Sequence, residues 1–324
     1  MGPNRIWFVS PLFQDVESFL VLRERLREIV GGIHATPLGE LRFVAVDDTG
    51  GFDAGIERLK AIPDVTVVDA PFNLGHQRAI VYGLRKMGPS MEDLDFVVTL
   101  DADGEDRPED LPRLLAPLLE DPSDTRRIAV AHRTRRRTSL SFKFLYFFFR
   151  IMFRLLTGTS VRSGNFAAYR GWLAKRVLVH PNFDLSYSSA LLSLGLPIRF
   201  VPCQRGERYA GRSRMGVPKL FLHGLRMLMP FTDRIAIRAL VLASATFAIG
   251  AAAAAVVIGI RIFTNEAIPG WATYTLLGIL ILSFVALGSF ITVFTAFSQS
   301  RSVSLANLEK VDDGSTGSAS PRSD

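Results

Sequence analysis

Two carboxylates separated by one small residue, Asp101-Ala102-Asp103, follow the apolar run Phe96-Val97-Val98-Thr99-Leu100 and precede Gly104-Glu105-Asp106-Arg107-Pro108-Glu109-Asp110. So short an apolar run suits a strand covered on both faces, and a proline followed by two acids suits the opening of a helix. Asp101 and Asp103 would then stand at the carboxyl end of a strand, the edge at which open α/β sheets bind ligands. Their oxygens can serve one hard divalent cation, Mg2+ or Mn2+, which completes its shell with water and substrate phosphates. A solvated acidic turn is the other reading of this pattern.

The elements that must position these acids are legible upstream. Residues 6–9, 41–46 and 65–69 are apolar runs of strand length, and residues 15–26 and 76–84 repeat their apolar positions at helical spacing. With residues 96–100 they form a strand–helix alternation, which predicts a mostly parallel sheet with right-handed crossovers. Each strand ends in a polar or glycine-containing turn, and parallel strands bring these turns to one edge. Pro11, Phe13, Asp15, Asp47, Asp48, Asn73, Gly75 and Gln77 are therefore expected to share a cleft with Asp101, Ala102 and Asp103.

The composition then changes. Residues 125–183 contain no Asp or Glu, yet hold Arg133, Arg135, Arg136 and Arg137 among many other basic residues, in a chain of net charge +7. An acid-free basic tract implies an anionic partner. Within it, residues 142–156 mix aromatic bulk with Lys and Arg as a helix in a membrane interface does, and residues 216–233 form a similar juxtamembrane segment. Residues 239–260 and 267–300 carry no charge, and each run exceeds the roughly 20 residues that span a bilayer. They predict a two-helix transmembrane hairpin within residues 234–300. Basic residues flank the hairpin outside (Arg234, Arg238, Arg301, Lys310) and its link holds only Arg261, so both termini and the residues 1–215 domain are expected in the cytoplasm of a multi-pass inner (plasma) membrane protein. No signal-peptide pattern precedes the first strand. The tail, residues 301–324, has the composition of a disordered segment. Cys203, the sole cysteine, excludes a disulfide framework. Nucleic acid is disfavoured as the anion because a membrane supplies anionic headgroups with no further assumption.

In order, strand-end Asp47-Asp48, Asn73-x-Gly75 before a helix, Asp101-x-Asp103 and Pro108-Glu109 resemble the inverting GT-A (Rossmann-like) glycosyltransferases of family 2. Pro11-Leu12-Phe13-Gln14-Asp15 is similar to that family's Pro-x-x-Asn-Glu element. Arg208-Tyr209-Ala210-Gly211-Arg212-Ser213-Arg214 resembles the Arg-x-x-Gly-x-Ser-Lys element of the polyprenyl-phosphate branch, which includes dolichol-phosphate mannose synthases and bactoprenol glucosyltransferases. Glu105 stands where the family usually has Gln. The resemblance implies inverting transfer of one hexose from a nucleotide sugar, a UDP-sugar such as UDP-glucose, to polyprenyl (undecaprenyl) phosphate. It implies nucleoside contacts from Asp15 and one of Asp47 or Asp48, a cation on Asp101 and Asp103, and an acceptor-phosphate clamp of Arg133, Arg135, Arg136, Arg137, Arg208, Ser213 and Arg214.

Relatives that glycosylate hydroxyls carry a Glu-Asp pair, where residues 182–187 offer only Asp184, either a lone base or a helix cap. A phosphate acceptor, already ionised, needs no base. A glycolipid or polysaccharide synthase with a hydroxyl acceptor, and a non-enzymatic membrane adaptor retaining the fold, are the alternatives. A homo-oligomer is left open.

Overall fold

The computed structural model describes residues 4–32, 38–133, 140–160, 163–209, 217–264 and 270–298. The first half alternates as expected: β1 (Asn4–Leu12), α1 (Val16–Gly31), β2 (Leu38–Asp47), the single turn α2 (Glu57–Lys60), β3 (Val65–Asp69), α3 (His76–Met87), β4 (Phe96–Thr99) and α4 (Leu111–Leu119). It continues through β5 (Ile128–Arg133), α5 (Leu140–Thr157), β6 (Ser163–Arg170), α6 (Gly171–Arg176), α7 (Tyr187–Ser193) and β7 (Ile198–Cys203), then α8 (Val217–Leu228), α9 (Thr232–Phe263) and α10 (Trp271–Ser298).

The seven strands form one sheet in the order β3-β2-β1-β4-β6-β5-β7. Neighbours are parallel except at β6, which runs antiparallel to both β4 and β5. Alternate residues feed two cores, as a strand's period of two requires. Ile6, Phe8, Phe43 and Val98 pack with Phe19, Leu22 and Leu26 of α1 and Leu111, Leu114 and Leu118 of α4. Trp7, Val9, Val44 and Val97 pack on the other face with Ile80 and Leu84 of α3, Leu173 of α6 and Tyr187 of α7. The winding reverses between β1 and β4, and the crevice at such a switch point opens at the strands' carboxyl ends.

The basic tract is less uniform than its composition implies, because β5, β6 and α6 lie inside it. Arg170 is buried, with its guanidinium 3.9 Å from the Phe96 ring centroid and its Nη atoms donating to the Leu94 and Leu118 carbonyls at 2.7 and 3.2 Å. Arg127 donates to Asp124 and to the Pro117 carbonyl, and Lys175 and Arg176 pair with Asp93. These four cations brace the domain itself, and so are not held for an external anion.

A second compact unit comprises residues 151–158 and 231–301. Within it α9 packs on α10, with Gly250 facing Ile279 and Ser283. Both helices are long and apolar enough to cross a membrane, and nearly all of their apolar side chains are exposed rather than packed as a soluble core. Two such helices can form a transmembrane hairpin. The tail, residues 301–324, lies outside the described residues.

Candidate active site

The carboxyl ends of β1, β2, β3 and β4 meet at one sheet edge, since Leu12 pairs with Asp47, Asp47 with Asp69, and Val9 with Thr99. The antiparallel course of β6 brings its amino end to the same place. Asn165 therefore lies opposite Asp101, two residues beyond the last β4 pair, Thr99 with Ala167. Arg133 closes β5 at this edge, paired in register with Cys203 of β7. The side chain of Arg133, and all of Arg135, Arg136, Arg137, Ser213 and Arg214, lie outside the described residues.

Asp101 is held from three sides. Its Oδ1 meets His76 Nε2 at 2.8 Å and accepts the Asn165 side-chain N–H at 3.1 Å, while its backbone N–H donates to buried Asp106 Oδ2 at 3.0 Å. The charge of Asp101 and its hydrogen bond, with the nearby charges of Asp106 and Asp103, raise the His76 pKa. Asn165 is itself oriented. Its Oδ1 accepts from Gln77 Nε2, and its backbone carbonyl accepts from Thr99 Oγ1 at 2.6 Å. Thr99 Oγ1 in turn meets the Tyr187 hydroxyl at 2.9 Å.

Asp103 is more exacting. Its Oδ1 accepts the Glu105 N–H at 2.9 Å and its Oδ2 pairs with Arg208 Nη2 at 3.1 Å. Burial, together with the charges of Asp101 and Glu105, holds this carboxyl above its ordinary range despite those two donors. Glu105 behaves in the opposite way: burial would raise its pKa, but hydrogen bonds from Arg205 and Arg208 outweigh that and lower it.

Residues 204–209 thus form the outer wall of the acidic turn. The Gly206 N–H donates to the Glu105 carbonyl at 2.9 Å and the Tyr209 N–H to the Asp103 carbonyl at 2.8 Å. A Cβ at Gly206 would stand 2.1 Å from the Gly104 carbonyl oxygen, and Gly104, at φ 88°, has the Tyr209 ring where its own Cβ would point. Two glycines let the backbones meet at a distance no side chain permits. Beside them a pocket of about 270 Å³ is lined by Arg25, Arg107, Arg208, Glu109 and Tyr209.

The remaining candidates divide into those that face the cleft and those that brace it. Asp48 accepts the Leu74 and Gly75 N–H groups at 2.6 and 3.0 Å, tying the end of β2 to the turn before α3. Burial raises its pKa in spite of those bonds. Gln77 is likewise committed, accepting the Ser188 N–H at 3.0 Å while donating to Asn165. Asp47 is different: Oδ1 accepts from Thr49, but Oδ2 is buried with no hydrogen-bond partner among the described residues. Pro11 is buried in β1, Phe13 is exposed just beyond it, and Asp15 stands at the N-cap position of α1 without a side-chain cap bond. Asn73 is exposed, and Gly75 precedes α3 at φ 83°. Ala102 is buried between the two acids.

Asp184 does not join this edge through its side chain. It pairs with Arg85, two and a half turns along α3 from His76. Two residues that the sequence reading passed over, Asn165 and His76, touch Asp101 directly. His76 directly follows the Asn73-x-Gly75 turn, at the first position of α3. Asn165 carries no local signal, because only pairing between β4 and β6 brings it there.

Residues 19–177, from within α1 through α6, match the family model described as glycosyl transferase family 2. The protein is a glycosyltransferase. More narrowly, the matched segment is a family 2 domain, and the acidic turn lies inside it. A crystal structure of 4-diphosphocytidyl-2C-methyl-D-erythritol synthase is similar over 69% of this chain and 99% of its own, at 15% identity and a TM-score of 0.38. No curated protein matches the chain in sequence.

Proposed function

We propose that the enzyme transfers a single hexose, with inversion, from a nucleotide sugar to polyprenyl phosphate at the cytoplasmic membrane face. One observation carries this choice of acceptor: three acids that could be considered for a base, Glu105, Asp106 and Asp184, are each already engaged. Glu105 holds two arginines, Asp106 holds the Asp101 backbone, and Asp184 is paired with Arg85. A hydroxyl acceptor calls for a general base, whereas a phosphate monoester attacks as the ion it already is. Arg208 supplies positive charge at the same edge, and guanidinium forks suit phosphate oxygens.

On the donor side, Asp47 Oδ2 offers a buried acceptor to an N–H of the nucleobase, with Asp15 and Phe13 beside it at the end of β1, and a UDP-sugar is the favoured donor. Asp101 and Asp103 fit a hard divalent cation, Mg2+ or Mn2+. Both are carboxylates, and Asp103 is raised by burial and so would be relieved by a cation. Among the described residues no third acid, His or Cys completes a cluster, which suits a cation that keeps waters and takes phosphate oxygens. Such an ion supplies Lewis acidity to the leaving diphosphate. The chain's own part is to hold Asp101 through His76 and Asn165, and to place Arg208 beside Asp103.

The lipid acceptor agrees with α9 and α10, read as a bilayer hairpin. Arg234 and Arg238 at its start favour a cytoplasmic catalytic domain. The test is transfer from labelled nucleotide sugars by purified full-length protein in detergent. Transfer to undecaprenyl phosphate, dependent on divalent cation, is expected; transfer to undecaprenol but not to its phosphate overturns the reading.

A further inference from the structure

Glu105 has no part in the function described so far, yet it is among the most heavily engaged side chains at the site. It is buried, and its Oε1 accepts from Arg205 Nη2 and, at 2.9 Å, from Arg208 Nε. The same Arg208 guanidinium presents Nη2 to Asp103 Oδ2 at 3.1 Å. One planar fork thus bridges two acids, with its Nε end on Glu105 and its Nη2 end on Asp103. The backbone bonds from Gly206 and Tyr209 fix the loop that carries it. The cation attributed to Asp101 and Asp103 needs the same Asp103 carboxylate that Arg208 now neutralises.

We propose that Glu105 is a positioning residue that makes Arg208 an exchangeable counter-ion for Asp103. In the absence of cation, Arg208 spans both acids. With Asp101 and Asp103 holding a divalent cation, Arg208 would keep its Nε bond to Glu105, and its Nη face would be available to a phosphate oxygen at the edge of the site. An amide at position 105 accepts a hydrogen bond but carries no charge, so Arg208 would stay on Asp103 and compete harder with the cation. Arg205 pairs with the same Glu105 oxygen.

This inference rests on the reading of Asp101 and Asp103 as cation ligands, and the experiment separates the two. Mn2+ binding to the full-length protein in detergent, without donor or acceptor, is followed by electron paramagnetic resonance for wild type, Asp103→Asn, Glu105→Gln, Arg208→Gln and the Glu105→Gln/Arg208→Gln double variant. Arg208→Gln is expected to tighten Mn2+ binding several-fold, and Glu105→Gln to weaken it several-fold. In the double variant the Glu105→Gln penalty should largely disappear, because its agent is gone. An equal Glu105→Gln penalty in both backgrounds would mean that Glu105 acts on the cation by charge alone, and would overturn the proposal. Unchanged or weaker binding in Arg208→Gln overturns it as well. Wild-type binding that survives in Asp103→Asn, or no binding at all, removes the cation reading and this inference with it. Arg208→Lys covers a failure of Glu105→Gln to fold. A lysine cannot bridge both acids, so it should tighten Mn2+ binding, and wild-type affinity there counts against the proposal.

Discussion

Asn165 and Asp101 face each other across the antiparallel seam of β4 and β6, with the Asn165 side-chain N–H donating to Asp101 Oδ1 at 3.1 Å. The contact joins residues 64 apart in the chain. It exists because β6 runs against the other strands and so delivers its first residues, not its last, to the functional edge. Asn165→Ala should lower transfer by about 10–100-fold, the usual cost of losing a group that orients a metal ligand. The fold should persist, since Thr99 bonds the Asn165 backbone rather than its side chain. Steady-state kinetics as a function of divalent cation concentration, with circular dichroism for folding, checks both statements.

Asp103→Asn is expected to abolish turnover and to stabilise the protein. The folded environment disfavours the charged carboxyl, so Asp103 costs stability as pH rises through its raised pKa and costs nothing once protonated at low pH. The variant's advantage should therefore grow from acid toward neutral pH. The gain should appear as a higher Tm. Thermal unfolding across that pH range is the measurement, and a variant less stable at neutral pH would contradict it.

Asp47 and Asp48 are neighbours with separable tasks. Asp48→Ala leaves the Leu74 and Gly75 N–H groups without their acceptor, at a cost of about 1–3 kcal/mol visible in thermal unfolding. Asp47→Asn can keep the bonds to Thr49 while replacing the buried Oδ2 acceptor with a donor, so nucleotide binding should weaken by about tenfold or more with a smaller change in Tm. Calorimetric titration with nucleoside diphosphate distinguishes the two variants.

The hairpin topology has a convenient assay. Cys203, the sole cysteine, is buried, so the wild-type background for a membrane-impermeant thiol reagent is low. A cysteine placed at Thr264, just past α9, should label from the side opposite the catalytic domain if the positive flanks orient the spans. Labelling only after the membrane is opened would reverse the orientation.

The parallel half of the sheet was legible because buried parallel strands are continuous apolar runs between turn residues, as at residues 43–46 and 96–98. The other half was not. The charge of residues 125–183 drew attention to partners, while β6, a strand ending in Arg170, owes its place to pairing with β4 and β5, and such pairing leaves no local pattern. Strand-end positions came through well for the same reason the strands did. Side-chain partners were less legible: Asp48 and Gln77 stand at the expected edge, and their oxygens accept backbone N–H groups. The wall formed by residues 204–209 joins segments about 100 positions apart, and its one sequence trace is an extra acid, Glu105, matched by Arg205 and Arg208.

Gly104 and Gly206 leave no space between their backbones for even a methyl group. The acidic turn and its outer wall are consequently a single mechanical part. A thermal excursion that lifts residues 204–209 must drag Asp103 along, so access and ligation change together, and amide hydrogen exchange at Gly206 and Tyr209 reports on both at once.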